Sequence, residues 1–134
     1  GDYTKFEIEI LEVINEKVFV SFVRKNTQGF NRMALSFNAI PTDLGGYPLS
    51  IYKTMESDSI AAGLFILVSD GDAIEDTYSP TEDIQTSYVE VLSYTNNSLE
   101  GICSVEFSLD GNPGNLDNPA IYNFTNGRLS IAVP

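Results

Sequence analysis

The stretch Leu99-Glu100-Gly101-Ile102-Cys103-Ser104-Val105-Glu106-Phe107-Ser108-Leu109 decides the fold. Leu99, Gly101, Cys103, Val105, Phe107 and Leu109 fall on one face, while Glu100, Ser104, Glu106 and Ser108 fall on the other. That period of two is a half-buried β-strand. Ser87 to Tyr94 alternates in the same way, with Val89 and Val91 on one face, and Asn96-Asn97 marks the turn between the two runs. A three-residue loop, Asn96 to Ser98, sets Val91 opposite Cys103 and Val89 opposite Val105. A two-residue loop sets Glu90 opposite Cys103, so burial favours the longer loop.

Working outward, Asp110 to Pro119 is a loop rich in Gly, Pro and Asn. Beyond it, Asn126-Gly127 predicts a tight hairpin, since both residues tolerate positive φ. That turn pairs Phe124 with Leu129 and Tyr122 with Ile131. Upstream, Gly63 to Ser69 reads as a central strand buried on both faces. Asp70 to Asp83 is acidic, contains Pro80, and reads as an exposed loop with at most one short strand. Ile40 to Pro48 holds two Pro and two Gly and breaks regular structure, and Leu49 to Met55 reads as a short strand or a helical turn.

At the start of the chain Phe6, Ile8 and Ile10 alternate with Glu7 and Glu9. The phase then flips at Leu11 and Val13, which predicts a β-bulge near Ile10–Leu11. Asn15-Glu16 is a turn, Lys17 to Arg24 a second strand, Asn26 to Gly29 a loop, and Met33, Leu35 and Phe37 line a third strand. Seven to nine strands separated by turns imply one all-β domain over residues 1–134. Its predicted architecture is an antiparallel β-sandwich, with an up-and-down β-barrel as the alternative.

Composition narrows the function. The net charge is −12, and from Thr54 to Gly127 there are thirteen acidic residues and no Lys or Arg. Such a surface does not neutralise phosphates, which excludes nucleic acid as a partner. The chain has no His, so the usual Ser-His-Asp and Cys-His arrangements are absent. Cys103 is the single cysteine; it forms no intrachain disulfide and builds no thiolate zinc cluster. It shares a face with Val105 and Phe107 and has no base beside it in sequence, so it is expected to be inert. No apolar run is long enough for a membrane-spanning helix. Gly1 reads as a remnant of tag removal, so the missing targeting segment says little about the precursor.

The C-terminal motifs carry a resemblance. "YVEVLSYTNNSLEGICSVEFSLDG" followed by "YNFTNGRLSIAVP" resembles the end of a family of small exported β proteins from Bacteroides-type bacteria, a domain family of unassigned function. Leu99-Glu100-Gly101 to Phe107 matches the family's Gly-led strand, and Thr125-Asn126-Gly127-Arg128-Leu129 matches its closing hairpin. The match covers about the last 50 residues. It implies a periplasmic or surface-displayed domain, often behind a lipid anchor that lies outside this sequence, and supplies no catalytic residues.

The best chemical candidate is the acidic segment Asp70, Asp72, Glu75 and Asp76, whose clustered carboxylates suit a hard cation such as Ca²⁺. The EF-hand spacing is not met, and the bland reading is a solvated loop. Asp110, Asn112, Asn115 and Asp117 form a second oxygen-rich loop that turn chemistry already explains. Tyr47, Tyr52, Tyr78, Tyr88, Tyr94 and Tyr122 suit a ligand surface or strand edges. The expectation is a non-enzymatic binding or structural domain at the bacterial cell envelope, with a protein or carbohydrate partner. A calcium-dependent module, a surface-fibre subunit and, behind both, a hydrolase are the alternatives.

Overall fold

A computed structural model of the chain describes residues 6–25, 31–51, 61–68, 74–83, 85–114 and 116–133. The described residues form nine strands: β1 (Glu7–Ile14), β2 (Lys17–Lys25), β3 (Asn31–Pro41), β4 (Gly45–Ile51), β5 (Ala61–Val68), β6 (Ile74–Pro80), β7 (Tyr88–Thr95), β8 (Ser98–Leu109) and β9 (Ile121–Ala132). They make one sheet in the order β1-β2-β3-β5-β4-β7-β8-β6, with β9 added to β8 and β6 also paired to β5. All pairings are antiparallel except the short one between β4 and β5, where Leu49 lies beside Ala61.

The sheet folds back on itself because two strands each hold three neighbours. β5 carries β3 along one edge and shares the other between β4 and β6; Phe65, for instance, pairs with both Leu35 and Tyr78. β8 carries β9 along one edge and shares the other between β7 and β6; Phe107 pairs with both Tyr122 and Pro80. Two walls result, β1-β2-β3-β5 and β7-β8-β9, facing each other across one core. Among the described residues they do not close into a barrel: β1 pairs there with β2 alone and β9 with β8 alone.

The core follows the alternation. Val18, Phe37, Phe65, Tyr78, Val89, Leu99, Phe107 and Ile131 are each 0% exposed and belong to a single apolar cluster. Phe65 sits at its centre, with ring centroids of Tyr78, Phe107, Tyr122 and Phe124 at 5.5, 5.6, 4.9 and 5.1 Å. Leu129, 5% exposed, is also inside.

The structure corrects the predicted register at several points, and the cause is a β-bulge each time. Asn96-Asn97 is a two-residue turn, with Thr95 opposite Ser98 and φ of 52° and 59°. Those positive φ values suit the twist of a tight hairpin. The extra residue needed to bury the valines is not in the turn but at Leu92, so Val89 faces Cys103 and Val91 faces Gly101. The bulge expected near Ile10–Leu11 is present, at Glu9, between Ile8 and Ile10.

Asn126-Gly127 is not a hairpin. β9 runs unbroken through it and pairs with β8 on both sides, Phe124 with Val105 and Gly127 with Cys103. Asn126 takes its positive φ, 53°, as a bulge residue. The bulge moves the inward set from Tyr122 and Phe124 to Gly127, Leu129 and Ile131. Gly127 is needed because a Cβ there would lie 2.9 Å from the Cys103 sulfur. The predicted breaks also shrink. β3 continues to Pro41 and β4 begins at Gly45, while Asp70–Asp83 contains a full strand, β6, whose Tyr78 is buried.

Candidate functional site: an apolar cleft between the open walls

Where the two walls fail to close they leave a cleft of about 450 Å³, within the usual range of about 300–1,000 Å³ for ligand pockets. One wall supplies Phe22, Met33, Leu35 and Phe37. The other supplies Cys103, Tyr122, Phe124 and Leu129. Phe6 stands at the mouth and meets the Phe124 ring edge-on at 6.1 Å, and Phe22 meets Phe37 at 6.4 Å. Phe6, Phe22, Met33, Tyr122 and Phe124 are all half-buried. The site is thus an aromatic trough whose floor is the buried core and whose rims stay wet.

β9 borders the trough in a particular way. Tyr122-Asn123-Phe124 and Gly127-Arg128-Leu129 all line it, so inward-facing and outward-facing positions both contribute. Residues of both orientations on β9 therefore border one space. Arg128, the single base after Lys53, stands on this rim.

Cys103 faces the trough from β8. Burial pushes its thiol from 9.0 up to about 11, so at neutral pH it is a protonated apolar group and not a nucleophile. The unfolded thiol ionises near pH 9 and the folded one near 11, so the stabilisation is whole below pH 9 and is lost as pH rises through 11. Stability measured by urea unfolding between pH 9 and 11 is expected to fall by about 2–3 kcal/mol more in the wild type than in Cys103→Ala.

The sequence-predicted metal residues divide. Asp70 and Asp72 lie outside the described residues. Glu75 and Asp76 stand on β6, and Asp76 is 5% exposed. The Gly114 N–H donates to Asp76 Oδ1 at 2.7 Å. Asn118 Nδ2 donates both to Asp76 Oδ2 and, at 2.7 Å, to Glu75 Oε1. A neutral amide therefore bridges the two carboxylates. Among the described residues no group of three or more His, Cys, Asp or Glu is placed to hold a metal ion.

The clamp ties the second oxygen-rich loop to β6. Ser79 Oγ donates to Asp110 Oδ2 at 2.9 Å, and the Tyr78 hydroxyl donates to the Pro119 carbonyl at 2.7 Å. Burial first, then Tyr122, Asp76 and Glu75, raises the Tyr78 phenol, which keeps it a donor. Asn115 lies outside the described residues. Of the tyrosines singled out by sequence, Tyr122 lines the trough, Tyr78 is core, and Tyr52 lies outside the described residues. Phe6, Phe22, Met33 and Phe124 were not legible as site residues, because each reads as ordinary strand filling until the facing wall is known.

Comparison of the chain with protein-family models, curated proteins and solved structures gives no match. No helix among the described residues is long and apolar enough to cross a membrane.

Proposed function

We propose that this is a non-enzymatic binding domain, exported to the bacterial cell envelope, whose site is the aromatic trough and whose partner is a protein that buries apolar side chains there. The observation that carries this reading is the half-buried aromatic set around about 450 Å³ of space. Large apolar groups left partly wet and rimmed by polar residues are the usual mark of an interaction surface. The lining favours protein side chains over sugar, since Asn123, Arg128 and the Tyr122 hydroxyl are its few polar side-chain groups among apolar ones. Export rests on the resemblance of the C-terminal motifs.

The test is a neutral apolar dye. Nile red is expected to brighten and shift to the blue in the presence of the wild type. Phe22→Asn and Phe124→Asn, both at half-buried positions, are expected to weaken its binding at least about tenfold, or 1.4 kcal/mol. Equal dye binding by wild type and both variants, with circular dichroism unchanged, removes the trough as the site.

A further inference from the structure

We propose that what enters the trough is an extended polypeptide segment bearing Lys or Arg, which adds as a strand to the free edge of β9 with alternate apolar side chains turned inward. The inference rests on the trough being the binding site and specifies its occupant.

β9 pairs with β8 along its whole length and, among the described residues, with nothing on its other side. A free strand edge is a row of unused N–H and C=O groups. Natural proteins guard such edges with charge, Pro, bulges or short length. β1, at the other end of the sheet, is guarded: it carries Glu7, Glu9 and Glu12 and bulges at Glu9. β9 is twelve residues long, has no Pro, and has one charged residue, Arg128. Its bulge, at Asn126, interrupts the pairing with β8 and leaves residues 121–124 and 127–132 regular on either side.

The edge and the trough share residues of β9. Both in-facing and out-facing β9 residues border the cavity. A strand laid along this edge places its inward residues over Phe22 and Met33 by the alternation of side chains. No small apolar ligand needs the backbone edge.

Charge selects the occupant. Two copies of a −12 domain repel, which disfavours a second copy as occupant. The outward residues of an added strand look across Ser130 and Asn123 to Glu100 and Glu106, their partners on β8. Two strand spacings are roughly 10 Å, a span that Lys and Arg side chains help to close on either side of Arg128, the one like charge on this face of β9.

The probe is a ten-residue peptide of alternating valine and lysine. Along a strand, alternate N–H groups point to the same edge. Two N-methylated versions, blocked at odd or at even residues, are therefore expected to differ: one keeps affinity and the other loses at least about tenfold. Hydrogen exchange is expected to slow on β9 with the parent peptide. A valine–glutamate peptide is expected to bind at least about tenfold more weakly than the lysine one. Equal loss or equal retention in the two methylated peptides overturns strand addition, and equal affinity of the acidic peptide overturns the basic partner. Self-association of the protein alone, with β9 protected, replaces that partner with a second copy and also overturns the proposal. If Nile red binds and the lysine peptide does not, the inference fails and the trough stands; if neither binds, the trough itself fails as a site.

Discussion

Phe65→Ala is expected to destabilise the domain by about 3–5 kcal/mol, the range for losing a fully buried aromatic ring. The ring is 0% exposed and touches four others, from β6, β8 and β9. β5 is the strand on which β3, β4 and β6 converge, so the surrounding backbone has little freedom to collapse into the space. Interior packing leaves such a void largely unfilled. For a domain of this size the loss lowers the melting temperature on the order of 10–20 °C. Phe65→Leu fills most of the volume and is expected to cost less than half as much. Tyr122 and Phe124 rest on Phe65 and line the trough, so the alanine variant is also expected to bind Nile red differently. Denaturant unfolding checks the first effect; a loss below about 1 kcal/mol contradicts a rigid aromatic centre.

The strands were legible wherever one face is dry and the other wet. Leu99 to Leu109 is the plainest instance, and its inward set is the buried set up to Phe107. The register was not legible, because a bulge is a property of two strands and not of one. Leu92 looks unremarkable in sequence until a partner fixes its neighbours. Asn126-Gly127 shows why a turn signal misleads: permission for positive φ serves a bulge as well as a hairpin, and close approach of the Cys103 sulfur needs the same glycine. β6 was hidden for another reason. Its inward positions are Asp76, Tyr78 and Pro80, so an acid stands where alternation expects an apolar residue. The trough was hidden most fully, since neither wall shows it alone.

Open walls and a locked far loop belong together physically. A sheet left open between β1 and β9 must hold its shape without the ladder that would close a barrel. Pairing of β6 with both β5 and β8 supplies part of that rigidity. Loop 110–120, which connects β8 to β9, supplies another part, because it sets where β9 begins. Its anchors are the Leu109 N–H to the Ala120 carbonyl at 2.9 Å, the Asp110 N–H to the Thr77 carbonyl at 2.9 Å, and the Asp76 clamp.

Asp76→Ala is expected to cost about 1–3 kcal/mol, since it strips the acceptor from the Gly114 N–H and one of two acceptors from the Asn118 amide, which keeps Glu75; both donors lie partly in water, which takes up some of the loss. Gly114 has no easy retreat: a Cβ there would lie 2.5 Å from the Glu75 carbonyl, so the loop is pressed against β6 at this point. Asp76→Asn keeps one acceptor but turns an NH₂ toward the Asn118 NH₂, and is expected to fall between wild type and alanine. Hydrogen exchange should report faster opening at Gly114 and at the start of β9 in the alanine variant, together with a lower urea midpoint. The same variant separates an amide clamp from a calcium site. The clamp needs no ion, so EDTA and millimolar Ca²⁺ are expected to give the same melting curve for wild type. If Ca²⁺ raised the melting temperature of the wild type and not of Asp76→Ala, the carboxylates of Glu75 and Asp76 would be ligands to the ion, and Asn118 would be a bystander to it.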